Sequence, residues 1–191
     1  MKTIIFGLED STDRWERCQE ILKSEGIEAS HHTVKTNKND MHRQSTKDFL
    51  CLLKQNRGED LLFFEDDFEL TDNWKEVLSK AWNDLPLNWD MLFLGANLTT
   101  APQRITENLI RLKGSWMMHA VIISKKFIEY LVKNYDVNRH WVFDEWVRKT
   151  ALNHRFYMTY PMISYQRKCY SDFAKKETDY KIFENPYYKK I

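Results

Sequence analysis

At 191 residues the chain is long enough for one domain with a sizeable core, and 42% hydrophobic with 14% aromatic residues excludes a disordered polymer. Lys and Arg total 29 against 28 Asp and Glu, a net charge of +1, so a nucleic-acid acceptor or a membrane-surface partner is unsupported on charge. Cys18, Cys51 and Cys169 make neither an even disulfide set nor a CxxC pair and read as reduced thiols of a cytoplasmic protein. The apolar start Met1–Leu8 is shorter than a signal-peptide core. No run approaches the roughly 20 apolar residues that span a bilayer, so no transmembrane segment is expected.

Residues 2–8 form a first short apolar run, a buried strand. Asp10 or Ser11 then caps a helix through Ile21 and Leu22 that ends at Gly26. Residues 30–43 are polar, rich in Asn and His, and read as loop. A helix over 46–55 shows Phe49, Leu50, Leu52 and Leu53 at helical spacing and closes at Gly58. Residues 61–64 are a strand, and Thr71 or Asp72 caps a helix through Leu78 and Trp82 that Pro86 stops. Residues 90–95 are a strand, 96–108 a loop, 109–112 a short strand and 120–123 a buried strand. Ser124 starts a helix through Leu131, 141–152 is another helix, and 156–162 is the last strand. Beyond residue 173 the chain reads as a polar, partly ordered tail. Alternating strands and helices predict an α/β fold, a single Rossmann-like domain with a mostly parallel central sheet and helices on both faces.

Leu61-Leu62-Phe63-Phe64-Glu65-Asp66-Asp67 is the most informative stretch. An unbroken apolar run suits a strand buried on both faces, and such strands deliver polar residues to the crevice at their carboxyl ends. Three adjacent carboxylates repel one another and are costly to dehydrate, so a positive partner is expected. A hard divalent cation that also holds substrate phosphates answers that need; a solvated acidic turn ahead of a helix N-terminus is the plainer alternative. Glu65 and Asp67 have the one-residue gap of an acid-any-acid motif. Asp67 is the first choice as metal ligand, with Glu65 on the metal shell or on a ribose. Asp66 joins the cofactor-binding group if a turn reverses the strand alternation.

Several segments, in order, resemble the small bacterial glycosyltransferases of family 25, the lipooligosaccharide galactosyltransferase group related to collagen galactosyltransferases. Asp13-Arg14-Trp15 resembles the Arg-containing segment after the family's first strand. Phe64–Leu70 is similar to its acidic metal motif, Trp89–Gly95 to its strand ending in Leu-Gly, and His119–Ser124 to its His-containing strand. Pro161–Gln166 with Ser171-Asp172 resembles its closing segment. The likeness runs over about residues 2–173. The chain departs from the family at Gln44-Ser45-Thr46-Lys47-Asp48, where no His follows the Ser, and it is shorter than typical members.

The resemblance implies a GT-A fold, a nucleotide-sugar donor (a UDP-sugar), a Mn²⁺ or Mg²⁺ ion, and transfer of a hexose to a glycan or other hydroxyl acceptor, as in lipopolysaccharide biosynthesis. A carboxylate-held metal would neutralise charge building on the departing diphosphate. Inverting transfer also needs a carboxylate to take the acceptor's proton. Asp144 and Glu145 stand adjacent on a helix, about 100° apart, so only one faces the cleft. The family's acidic position after its His-containing strand matches Asp144; the plain reading of both is helix-surface charge. His119 is either a hydrogen-bonded core residue or, by the resemblance, a group lining the site. His154 is an alternative metal ligand. Asp13 and Arg14 contact the nucleotide, unless Arg14 is a surface helix residue. Gln166 offers its amide to donor or acceptor. A nucleotidyltransferase would need a glycine-rich phosphate loop at the first strand, where only Gly7 stands. A degenerate domain that binds sugars without turnover is the remaining alternative.

Overall fold

The computed structural model describes residues 1–35, 40–171 and 174–191. In chain order the elements are β1 (Lys2–Leu8), α1 (Thr12–Ser24), β2 (Ser30–Val34), α2 (Met41–Gln55), β3 (Leu61–Glu65), β4 (Phe68–Leu70), α3 (Trp74–Asp84), β5 (Met91–Phe93), β6 (Asn97–Leu98), β7 (Gln103–Arg104), β8 (Leu109–Arg111), β9 (Ser115–Trp116), β10 (Ala120–Ile123), α4 (Lys125–Asn134), α5 (Phe143–Thr150), β11 (Phe156–Thr159), β12 (Ser164–Gln166), β13 (Cys169–Ser171) and β14 (Lys176–Thr178).

The main sheet has the order β2-β1-β3-β10-β5-β11-β8-β7. Strands β10 and β8 run against the other six, so the sheet is mostly parallel. Successive side chains of β3 feed opposite faces. Leu61 and Phe63 join one core with α2, α4 and α5, and Leu62 and Phe64 join a second with α1 and α3. Burial on both faces is why the central strands are apolar without alternation. This is the α/β architecture expected from the alternation of strands and helices.

Several local expectations change, among them the stretch 96–108, read as loop, which carries the short strands β6 and β7. Within the stretch read as loop, Ser30–Val34 pairs in parallel with β1, and α2 already starts at Met41; residues 36–39 lie outside the described residues. Strand β2 is an edge strand held by its backbone, so its polar, half-exposed side chains gave no periodic signal. The early start of α2 follows from Asp40, whose carboxylate accepts from the Arg43 N–H at 3.3 Å. Helix α3 is preceded by Asn73, not Thr71 or Asp72 as its cap position. Helix α5 starts two residues later than expected, at Phe143, and a single 3₁₀ turn follows it. The strand read over 156–162 ends at Thr159 and is not the last one. Strand β12 pairs antiparallel with β4, and β13 with β14.

Residues 174–191, read from sequence as a tail, carry Ile182 into the core at 2% exposure. The Tyr188 hydroxyl accepts from the Met162 N–H at 2.9 Å, and the Asn185 amide donates to the Leu98 carbonyl at 2.9 Å. Among the described residues, no helix is long and apolar enough to cross a membrane.

Candidate functional site

Strand β3 ends at Glu65, and Asp66 and Asp67 form the turn into β4. That turn breaks the strand alternation, so all three carboxylates border one cavity of about 330 Å³. Asp66 folds back over Gly7 at the end of β1. A Cβ on Gly7 would stand 2.5 Å from an Asp66 carboxylate oxygen and 2.8 Å from its Cβ, so the close approach requires a glycine. Arg14, in the first turn of α1, reaches the same place. It pairs with Asp66 and lies 3.7 Å from Asp67. Arg14 is therefore a residue of the cavity wall and not of the outer helix surface.

The β12–β4 pairing sets Gln166 opposite Phe68 and brings its amide between the two outer carboxylates. The amide nitrogen donates to both Asp67 oxygens, at 2.9 and 3.1 Å, and to Glu65 at 3.3 Å. Across β10, the Glu65 N–H donates to the His119 carbonyl at 2.8 Å, which extends the antiparallel ladder to the cavity. The chain just before β10, Trp116 to Met118, forms part of the wall. Helix α5 then brings Asp144 to that wall, where its carboxylate accepts from the Met117 N–H at 3.3 Å.

Burial pushes the Glu65 carboxyl well above its ordinary range, and the charges of Asp67, Asp144 and Asp66 push it further. Burial also raises Asp67, while the Gln166 hydrogen bond and Arg14 pull it back. Asp144 is pushed up to about 6 by burial, against the Met117 N–H that favours its ionised form. Its neighbour Glu145 behaves oppositely. Hydrogen bonds from Arg148 and Lys149 hold it down to about 2, on the side of α5 away from the cavity.

Of the residues singled out in the sequence, Arg14, Glu65, Asp66, Asp67, Asp144 and Gln166 are brought together. Asp13 is exposed and borders a neighbouring shallow cleft shared with Arg14, Arg167 and Lys168. His119 and His154 do not join them. His119 is fully buried beside Gly95 and the Ser164 backbone, with burial holding its pKa down to about 4, so it is a neutral core group behind the sheet edge. His154 packs among Phe127, Trp146 and Phe156, with Asp90 at 3.9 Å from its Nδ1, remote from the acidic turn. The residues just before β10 and just after the 3₁₀ turn thus pack against the interior, and neither lines the cavity.

The cavity also has walls that sequence reasoning missed: His42, Ser45 and Thr46 from the first turns of α2, Trp116, and Tyr180. The Asp40 cap was the available signal for the first three. Trp116 and Tyr180 reach the cavity only through tertiary packing, and no local pattern marks them.

Among the described residues, no group of three His, Cys, Asp or Glu side chains converges as a ready metal cage. The donor chemistry nevertheless fits a magnesium or manganese ion. Such ions take one or two carboxylates and complete their shell with water and phosphate oxygens. Asp67 and Glu65 are two such carboxylates, already turned towards a single hydrogen-bond donor on Gln166.

No protein-family model matches the chain, and no curated protein matches it. Among solved structures it is similar to A197 from STIV, at 17% identity over 93% of both chains with a TM-score of 0.56. It is also similar to a glycosyltransferase involved in the glycosylation of the major capsid of PBCV-1, at 14% identity over 82% of this chain and 80% of that one, TM-score 0.46. A third is described as mannose-1-phosphate geranyltransferase from Thermus thermophilus, at 10% identity over 85% and 74%, TM-score 0.49. At these identities the likeness to A197 from STIV establishes a shared α/β fold over nearly the whole of both chains.

Proposed function

We propose that this chain is a glycosyltransferase that moves a hexose from a uridine diphosphate sugar to a hydroxyl of a glycan or other acceptor, with inversion. The observation that carries the reading is that Glu65 and Asp67, at the end of β3, and Asp144, at the start of α5, border one cavity. Sugar transfer needs two kinds of help, and this arrangement offers both. Charge builds on the departing diphosphate, and a proton must leave the attacking hydroxyl. Asp67 and Glu65 would hold a Mn²⁺ or Mg²⁺ ion, which supplies a Lewis acid for the diphosphate. Gln166 fixes the Asp67 carboxylate, and Arg14 offers positive charge at the same turn. Asp13, in the adjoining cleft, is within the nucleotide-binding end of the site in this reading. Asp144 is the base. Its carboxyl, raised to about 6, is ionised at neutral pH yet retains more proton affinity than an exposed aspartate.

The test is incubation with a panel of nucleotide sugars and Mn²⁺, measuring nucleotide release. Release from at least one uridine diphosphate hexose, strongly reduced in Asp67→Asn, is expected. Release that is indifferent to Asp67→Asn would count against the metal-binding role, and a lack of both release and binding across the panel would count against the transferase.

A further inference from the structure

The wall formed by residues 116–118 carries a feature that the transfer chemistry does not use. Trp116 borders the cavity and is still 38% exposed. An indole is a large apolar surface, and leaving it open to a cavity forgoes the burial it would have in a core. Its placement is specified by two contacts. Backbone pairing of β9 with β6 sets Trp116 opposite Asn97. The Arg148 guanidinium lies over the ring, 4.9 Å from its centroid, and covers one face. The next residue, Met117, has φ of 79°, a left-handed conformation that is costly for a residue with a side chain. Its N–H is held by the Asp144 carboxylate. The backbone thus tolerates strain at the residue next to the aromatic ring, the same residue whose N–H the carboxylate of the proposed base accepts.

We propose that Trp116 is the stacking platform for the pyranose ring of the acceptor. A pyranose presents a face of axial C–H bonds that packs on an aromatic ring, while its hydroxyls stay at the rim. A ring stacked on Trp116 would lie beside Met117, whose N–H the Asp144 carboxylate accepts, so an acceptor hydroxyl at that rim is next to the proposed base. In the transferase reading the diphosphate of the donor belongs with Asp67 and Arg14, on the β3–β4 turn and α1, whereas Trp116 shares its wall with Met117 and Asp144, so the platform is assigned to the acceptor. The platform rests on the transferase reading, because it takes Asp144 as the group that receives the acceptor's proton.

Saturation-transfer NMR tests it on the whole chain loaded with uridine diphosphate and diamagnetic Mg²⁺, with methyl β-galactopyranoside, methyl β-glucopyranoside and methyl α-mannopyranoside as probes. At least one glycoside should bind, with saturation concentrated on the axial protons of one ring face. Trp116→Ala should weaken that glycoside about 3- to 10-fold, and Trp116→Phe by less, with uridine diphosphate affinity unchanged. Equal glycoside affinity in wild type and Trp116→Ala would overturn the platform, as would binding of none of the three by wild type. Loss of uridine diphosphate affinity with glycoside affinity intact would overturn it in favour of a nucleobase on the ring. Should Trp116→Ala fail to fold, Trp116→Phe and the wild-type proton pattern decide. Failure of wild type to bind uridine diphosphate would instead sink the transferase reading, and that result is read separately by calorimetry.

Discussion

Asp144 and Glu145 are neighbours on one helix with opposite electrostatics. Burial raises Asp144 to about 6, whereas Arg148 and Lys149 pull Glu145 down to about 2. If Asp144 is the base, Asp144→Asn should lower kcat by about 10²- to 10⁴-fold, the range typical of general-base catalysis, with donor affinity little changed. Glu145→Gln should retain most of the transfer, because its carboxylate faces two cations outside the cavity. A base works deprotonated, so kcat/KM should rise with pH through about 6 and level off above it. A flat profile from acid to neutral pH would contradict the role. The sequence shows the acidic pair and the helical offset that lets only one member face inward. Choosing Asp144 needed the family resemblance, since an eight-residue helix carries too little periodicity to orient itself. Gly95 illustrates a constraint with no local signature: a Cβ there would stand 1.9 Å from the Ser164 carbonyl oxygen. Gly95→Ala should therefore destabilise the fold by about 1–3 kcal/mol, the usual range for overpacking, visible as a lower Tm. An unchanged melting curve would show that the β12 segment yields.

Elements were legible in proportion to how strongly burial dictates their composition. Strands β1, β3, β5 and β10 are buried on both faces and stand out as apolar runs. The polar edge strand β2 does not, because backbone pairing holds it and its side chains are half exposed. The antiparallel direction of β10 is also invisible in sequence. It comes from how the chain returns through residues 115–119, and that return is what brings Trp116 and Met117 to the cavity. The histidines show the same limit. His119 and His154 have the right residue type for a metal site, but both pack against the interior and neither lines the cavity. The C-terminal segment reads as polar because its buried content is concentrated in a few residues, chiefly Ile182 with Tyr188 packed nearby. Ile182→Ala should cost about 2–5 kcal/mol, as for other large-to-small core changes. A melting temperature equal to wild type would mean the segment contributes nothing to the fold.

At the scale of the whole molecule, the cavity gathers groups from distant parts of the chain. Arg14 comes from α1, the acidic turn from the end of β3, Gln166 from β12 and Asp144 from α5. The acidic turn could be found in sequence, because a carboxylate cluster at the end of a buried strand conflicts with ordinary burial and so points to function. Its companions could be named only through a resemblance distributed along the chain, since proximity across so many elements is a property of the folded sheet. If the cavity is a uridine diphosphate sugar site, its cation dependence follows from Glu65 and Asp67. Burial already raises the proton affinity of both carboxylates, and neighbouring negative charge raises that of Glu65 further, so a divalent cation should be held where protons otherwise compete. The decisive measurement is calorimetric titration of uridine diphosphate into the protein, with Mn²⁺ and then with chelator. Binding that needs Mn²⁺ and is largely lost in Asp67→Asn is the expected result; equal affinity with chelator present, or no binding under either condition, would contradict it.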